Sequence, residues 1–259
     1  MDACRATWAR YYDCEKIHNP RHILPGMPNA VEPRRLRVFS AGAVAPPLQE
    51  AVSKFVKKSG IECDVRVAKP SILLAEIEHS KQGDVISTGA EYVLDDAEDN
   101  GTIVKGSRRS LGFRRSAIIV PSDNPAGVES LDSLCEKGVR IGIATDGCLR
   151  GVWDDVASKA GLTDQIRRNI THHANSCGQL MGLINTKKVD AVFGWSAFQF
   201  IWPGTCQAVE LPRDVQVFRS TVAAVVTYAR DAKLAASLVE YLASSDASKD
   251  FTSFGWIRQ

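Results

Sequence analysis

The chain has 259 residues, a formal net charge of +2, 44% apolar residues and 24% charged residues. That composition is ordinary for a globular protein of one large domain or two lobes, and a chain this long buries a core without disulfide staples. Basic and acidic residues are interleaved, which excludes a nucleic-acid-binding stripe, and no apolar run approaches the roughly 20 residues that span a bilayer.

Residues 1–35 read as an N-terminal extension. A short helix over 6–16 would carry Trp8, Tyr11 and Tyr12 and stop at His18-Asn19-Pro20, with Pro25-Gly26-Met27-Pro28 as further punctuation. Its aromatic residues are expected to drape it over the main body. It has no apolar signal-peptide core, so a removed leader, a misassigned start and a cytoplasmic protein all stay open.

Beyond residue 35 the pattern alternates. Residues 36–40 form an apolar strand, and Ser40-Ala41-Gly42-Ala43 is a small-residue turn. Leu48, Val52, Phe55 and Val56 give helical spacing over 46–58, with Pro46 and Pro47 in the first turn and Gly60 as the stop. A strand at 63–67, a helix at 71–79 and a strand at 84–87 complete β-α-β-α-β, the pattern of a parallel sheet covered by helices. The second part reads as a strand at 116–121, a helix at 130–136, a strand at 139–144, helices at 152–160 and 176–185 and a strand at 189–194. A strand at 221–228 and helices at 232–242 and 247–254 close the chain. The pairs Arg34-Arg35, Arg108-Arg109, Arg114-Arg115 and Arg167-Arg168 read as solvated loop charges.

Ligands of open α/β sheets bind beyond the carboxyl ends of the strands, where helix N-termini offer unpaired N–H groups and a favourable dipole to negative charge. Four turns fit that description: 40–43, Lys69-Pro70-Ser71, 145–151 and Asn175-Ser176. Arg150 stands at a Gly-flanked helix start, where it could pair bidentately with a carboxylate or an oxyanion. Trp195 follows a strand and would wall the cleft, lending its indole N–H.

Seven cysteines, an odd number without a CxxC pair, do not suit a disulfide framework and are expected to be mostly reduced. Cys148 and Cys177 fall at two of the helix starts, where a thiol is acidified and could meet a soft metal or metalloid, with His172 and His173 close by in sequence. Cys14, His18 and His22 share a four-residue spacing, but Pro20 interrupts the helix that would align them. No GxSxG, HExxH or P-loop is present, so a binding protein rather than an enzyme is expected, with no catalytic residue, metal or cofactor.

From Leu36 to Trp256 the ordered motifs resemble the accessory colonization factor AcfC family and, more distantly, the molybdate/tungstate-binding ModA proteins. The likeness is carried by Leu-Arg-Val-Phe-Ser-Ala-Gly at 36–42, Asp-Val-Ile-Ser-Thr-Gly at 84–89, and Arg-Arg-Ser-Ala-Ile-Ile-Val-Pro with Asn-Pro-Ala-Gly across 114–127. Gly-Val-Trp-Asp-Asp at 151–155, Arg-Arg-Asn-Ile at 167–170, Asn-Ser at 175–176, Val-Asp-Ala at 189–191 and Phe-Gly-Trp at 254–256 continue it.

The resemblance implies an α/β, periplasmic-binding-protein-like fold of type II. It would have two lobes, each a mostly parallel sheet flanked by helices, with a ligand cleft between them. Lobe 1 would hold 36–112 and 210–259, and lobe 2 would hold 113–209. The implied function is capture of a small anion, an oxyanion of molybdate or sulfate type or a small carboxylate, for ABC-type transport or sensing. The implied setting is a periplasmic or extracytoplasmic monomer meeting an ABC transporter's membrane component.

Ser40, Ala41, Gly42, Ala43, Ser71, Cys148, Arg150, Gly151, Asn175, Ser176 and Trp195 are the expected ligand-binding residues. The hydroxyl that molybdate binders offer from the first loop is matched here by Ala43, and their second-loop Ser-Gly by Pro70-Ser71. Such a site would serve sulfate-like oxyanions or a small carboxylate equally well. The alternative is a metal- or thiol-dependent protein built on Cys148 and Cys177.

Overall fold

The computed structural model describes residues 35–258, so the expected N-terminal helix and the Cys14, His18 and His22 spacing lie outside the described residues. Strand β1 (Arg35–Ala41) runs through a 3-10 turn at Gly42–Val44 into helix α1 (Ala45–Ser59). Leu48, Ala51, Val52 and Phe55 form the buried face of α1, and a fully covered Leu, Val or Phe side chain stabilises the fold by about 1.5–3 kcal/mol. Gly60, at φ 70°, ends the helix in a left-handed cap that a side chain would strain. Strand β2 (Glu62–Ala68), helix α2 (Pro70–Ser80) and strand β3 (Val85–Thr88) come next, and β1 pairs in parallel with both β2 and β3. The expected β-α-β-α-β order is therefore present. A short helix α3 (Asp95–Asp99) closes this part.

Strand β4 (Arg109–Pro121) is 13 residues long and begins seven residues before the strand expected at 116. Its first half pairs antiparallel with β9 (Phe218–Val225) as far as Arg115↔Phe218. From Ser116 onward it pairs antiparallel with β7 (Ala191–Trp195) and β8 (Cys206–Glu210) instead. The second part adds β5 (Ile141–Ala144) and β6 (Ile170–Ala174), and β5 is parallel to both β6 and β7. The strand order is β2-β1-β3-β9-β4-β7-β5-β6, with β8 alongside β4.

The sheet is thus mixed rather than mostly parallel. Helical crossovers generate the parallel pairs at both ends. The two strands that carry the chain out of the first half and back into it, β4 and β9, run in opposite directions, so the centre is antiparallel. Where they exchange partners, the Ser116 backbone N–H donates to the Val217 carbonyl at 2.8 Å, and Ser116 Oγ accepts from Val217 N–H at 2.9 Å.

Helices α4 (Val152–Lys159), α5 (Thr163–Arg167), α6 (Cys177–Asn185) and α7 (Phe198–Ile201) cover the second half. Helices α8 (Ala232–Ala243) and α9 (Ser245–Ser253) return to α1, where Lys54 donates to Asp250. The helix expected over 130–136 is only a 3-10 turn at Ser133–Cys135, because the segment ends at once in Lys137 and the left-handed Gly138 (φ 95°). Strands β6 and β8 and the short helices α3, α5 and α7 were not expected from the sequence pattern. Among the described residues no helix is long and apolar enough to cross a membrane.

Candidate functional site

The carboxyl ends of β1, β2 and β3 face those of β5 and β6 across a cavity of about 500 Å³. That size suits a small organic or inorganic ligand. Ala41, Gly42, Ala43 and Ser71 line it from the first half, and Cys148, Arg150, Asn175, Ser176 and Cys177 line it from the second. The chain ends that form it are local products of the sequence. Asp146 Oδ1 accepts from Gly147 N–H at 2.7 Å and fixes the turn that presents Cys148. Ser176 Oγ caps α6 by accepting from Gln179 N–H at 3.2 Å, which points the first amides of that helix at the cavity. Lys69 reaches across the opening and donates to the Asn175 side-chain oxygen, joining the two halves.

Three expected residues stand elsewhere. Ser40 is fully buried and its hydroxyl donates to the Ala41 carbonyl at 3.2 Å, so it lies behind the lining. Gly151 is outside the lining and serves as the left-handed residue (φ 77°) that starts α4. Trp195 does not wall the cavity: it is fully buried behind Cys148, and its indole N–H donates to Cys148 Sγ at 3.4 Å. Strand β7 is buried along its whole length, and Trp195 at its end packs against the Arg114 guanidinium instead of opening onto the cavity. Arg150 sits at the rim, with its guanidinium 5.2 Å from the Tyr92 ring centre. Tyr92, another lining residue, donates its hydroxyl to the Gly147 carbonyl at 2.6 Å and so ties the halves together.

The residue that the sequence pattern concealed is Arg114. Read as a solvated loop charge, it is instead wholly buried in β4 and lines the cavity. Its guanidinium lies 4.9 Å from the Trp195 ring centre and 5.4 Å from that of Trp256. One terminal nitrogen donates to the Gly89 carbonyl, while Nε and Nη1 have no hydrogen-bond partner. Among the described residues no carboxylate forms an ion pair with it. A buried cation left with open donors is costly unless something negative completes it. The close fit also explains Gly89: a β-carbon there would meet the Arg114 guanidinium and stand 2.9 Å from Cys148 Sγ.

Beside Arg114, Cys148 Sγ and Cys177 Sγ are 3.7 Å apart, both as free thiols. Cys148 is held well below the usual thiol range by the hydrogen bond it shares with Cys177, with the Arg114 charge and the Trp195 N–H adding to it. Cys177 is raised well above that range by the same hydrogen bond and by burial. Burial also raises the Tyr92 hydroxyl. His172 and His173 stand in β6 outside the lining, and among the described residues no group of three or more His, Cys, Asp or Glu is arranged to hold a metal. The site can therefore offer one desolvated cation, two rim cations (Arg150 and Lys69), helix-start amides and two thiols to a small guest, with the carboxylates of Asp96 and Asp146 also in the lining.

A family model described as bacterial extracellular solute-binding protein matches residues 36–257. No curated protein matches the sequence. Among solved structures, L-phospholactate-bound PEB3, a protein of Campylobacter jejuni, superposes with a TM-score of 0.78 at 21% identity, covering 86% of this chain and 100% of that one. The periplasmic molybdate-binding protein of Azotobacter vinelandii gives 0.71 at 18% identity over 86% and 99%. The sulfate-binding protein SubI of Mycobacterium tuberculosis gives 0.71 at 12% identity over 86% of each chain. These likenesses are ones of fold, that of the type II periplasmic binding proteins.

Proposed function

The chain belongs to the bacterial extracellular solute-binding proteins, and from that premise we propose that it captures a small anion between the two halves of its sheet. The observation that carries this reading is Arg114: fully buried, facing the cavity, with two nitrogen donors unclaimed. A tetrahedral oxyanion or a carboxylate would accept from those donors in a dry setting, where charge-assisted hydrogen bonds are strongest. Arg150 and the α6 amides would hold the remaining oxygens, with Ala41, Gly42, Ala43 and Ser71 closing the opposite wall. The neighbours' molybdate, sulfate and L-phospholactate are all small anions, which agrees with this class and leaves the individual member open. The motif order at 36–42 and 84–89 favours an AcfC-type member of the family.

In this reading, 36–112 with 210–259 and 113–209 act as lobes that close on the ligand, bending where β4 and β9 exchange partners. The closed monomer would be presented to the membrane component of an ABC transporter or to a sensor in an extracytoplasmic space.

Thermal unfolding in the presence of molybdate, tungstate, sulfate, phosphate, L-phospholactate and small dicarboxylates tests the class. Ligand at a hundred times its Kd adds about 2.7 kcal/mol. For a chain of this size that raises the midpoint by roughly 5–10 °C. If no anion at millimolar concentration raises it, the reading fails.

A further inference from the structure

The thiol pair gives the cleft a second chemistry, one that rests on the cleft being an oxyanion site. Cys148 and Cys177 arrive from separate loops, after β5 and after β6, and both face the cavity. Their sulfurs, 3.7 Å apart, are far beyond the about 2.05 Å of a disulfide. They are instead in van der Waals contact on one cavity wall, where a single atom can bond both after a small approach of the two side chains. A bare cation at the thiols would meet the neighbouring Arg114 charge and find no third ligand, since no cluster of three metal-binding side chains occurs among the described residues. A neutral hydroxide of a thiol-seeking metalloid meets both demands. It exchanges hydroxyls for sulfur and keeps an oxygen that can accept from the open Nε and Nη1 of Arg114.

We propose that the cleft captures a trivalent metalloid hydroxide of the arsenite type as a Cys148–Cys177 dithiolate, with its remaining oxygen held by Arg114. Two arsenic–oxygen bonds break and two arsenic–sulfur bonds form. The two departing hydroxides leave as two waters, taking the Cys177 proton and either the Cys148 proton or, where that thiol is already ionised, one from solvent. Arsenic stays trivalent, so no oxidant or reductant is needed. Cys148, the more acidic thiol of the pair, is the first nucleophile, and Cys177, the less acidic, supplies a proton to the first leaving hydroxide.

The test uses the reduced full chain, incubated in parallel with sodium arsenite and sodium arsenate, then desalted. Arsenic is counted by elemental mass spectrometry and its neighbours by X-ray absorption. Arsenite is expected to stay bound, one atom per chain, with two sulfur neighbours and one oxygen, while arsenate, which cannot exchange into a stable dithiolate, shows no sulfur neighbour. Cys148→Ser and Cys177→Ser should each lower retained arsenic at least about tenfold. Arsenite washed away on desalting, or retained equally by the double serine variant, overturns the proposal. The absorption spectrum of the unsubstituted protein gives the answer even if a serine variant fails to fold. Oxyanions that raise the melting midpoint without arsenite retention would defeat the dithiolate alone. Arsenite retention without any anion shift would defeat the anion reading alone.

Discussion

Arg114 combines a cost to folding with a gain in binding, and substitution separates the two. Arg114→Met removes a buried cation that has no carboxylate partner and leaves an apolar side chain of similar length between Trp195 and Trp256. A buried charge that no opposite charge balances carries a desolvation penalty of about several kcal/mol, which its removal relieves. The ligand-free variant should therefore unfold at an equal or higher urea concentration. Its anion affinity should fall at least about a hundredfold, because two charge-assisted hydrogen bonds at about 1.5–3 kcal/mol each are lost. Urea melts and calorimetric titration check both halves, and a variant that loses several kcal/mol of stability would make Arg114 a structural residue. Its position was hidden by its neighbour. In an extended strand, adjacent residues point to opposite faces, so an Arg-Arg pair must send one side chain inward. Read as a loop, the same pair looks solvated, and only the extension of β4 back to Arg109 reveals the inward member. The lining role of Cys148, Asn175 and Ser176 was legible because each sits at a turn before a helix. Trp195 was misplaced because the pattern gives the end of a strand but not the face of its last residue.

At the scale of elements, the second half depends on how β5 and β7 start together. Asp190 accepts from the Arg140 backbone N–H at 2.8 Å, from its Nε at 3.0 Å and from Nη2 at 2.7 Å, pinning the entry to both strands. Arg140 holds the Asp190 carboxyl below its ordinary value, by hydrogen bonding first and by charge after that. A carboxyl lowered by folding adds stability above its unfolded pKa, and that stability disappears as pH falls through the folded value. Asp190→Asn should cost about 1.5–3 kcal/mol at neutral pH. The gap between variant and parent should close as pH falls below about 3.8, the ordinary value from which Asp190 is lowered. Urea melts across a pH series would show it, and a gap independent of pH would assign the loss to packing. Element type was largely legible where apolar periodicity is long, as in α1 and in β1 to β3. It failed for β6, whose Ile-Thr-His-His alternates half-buried and exposed positions before the buried Ala174, and for β8, an edge strand with one buried residue. Edge strands take their place from backbone pairing rather than from an apolar stripe, so composition hides them.

For the whole molecule, the question is what holds the two halves around the cavity. The sheet is continuous through β4 and β9, while across the mouth the halves meet at Lys69 with Asn175 and at Tyr92 with Gly147. The mixed order of that sheet was beyond sequence pattern, because strand direction at the centre depends on how the chain returns, not on any local motif. Lys69 and Asn175 are both at the solvent-facing edge, and an exposed polar contact of this kind contributes about 0–1 kcal/mol. Closure must then be driven by the guest at Arg114 rather than by the contact over it. Lys69→Ala should weaken anion binding by no more than about fivefold, through faster dissociation with the association rate little changed. Stopped-flow binding of whichever anion raises the melting midpoint separates the two rates. A loss approaching that of Arg114→Met would mean that Lys69 touches the ligand and that the closing force lies at the rim. A small loss confined to dissociation would place that force inside, on the buried arginine, and make the Lys69–Asn175 contact a weak clasp that delays escape.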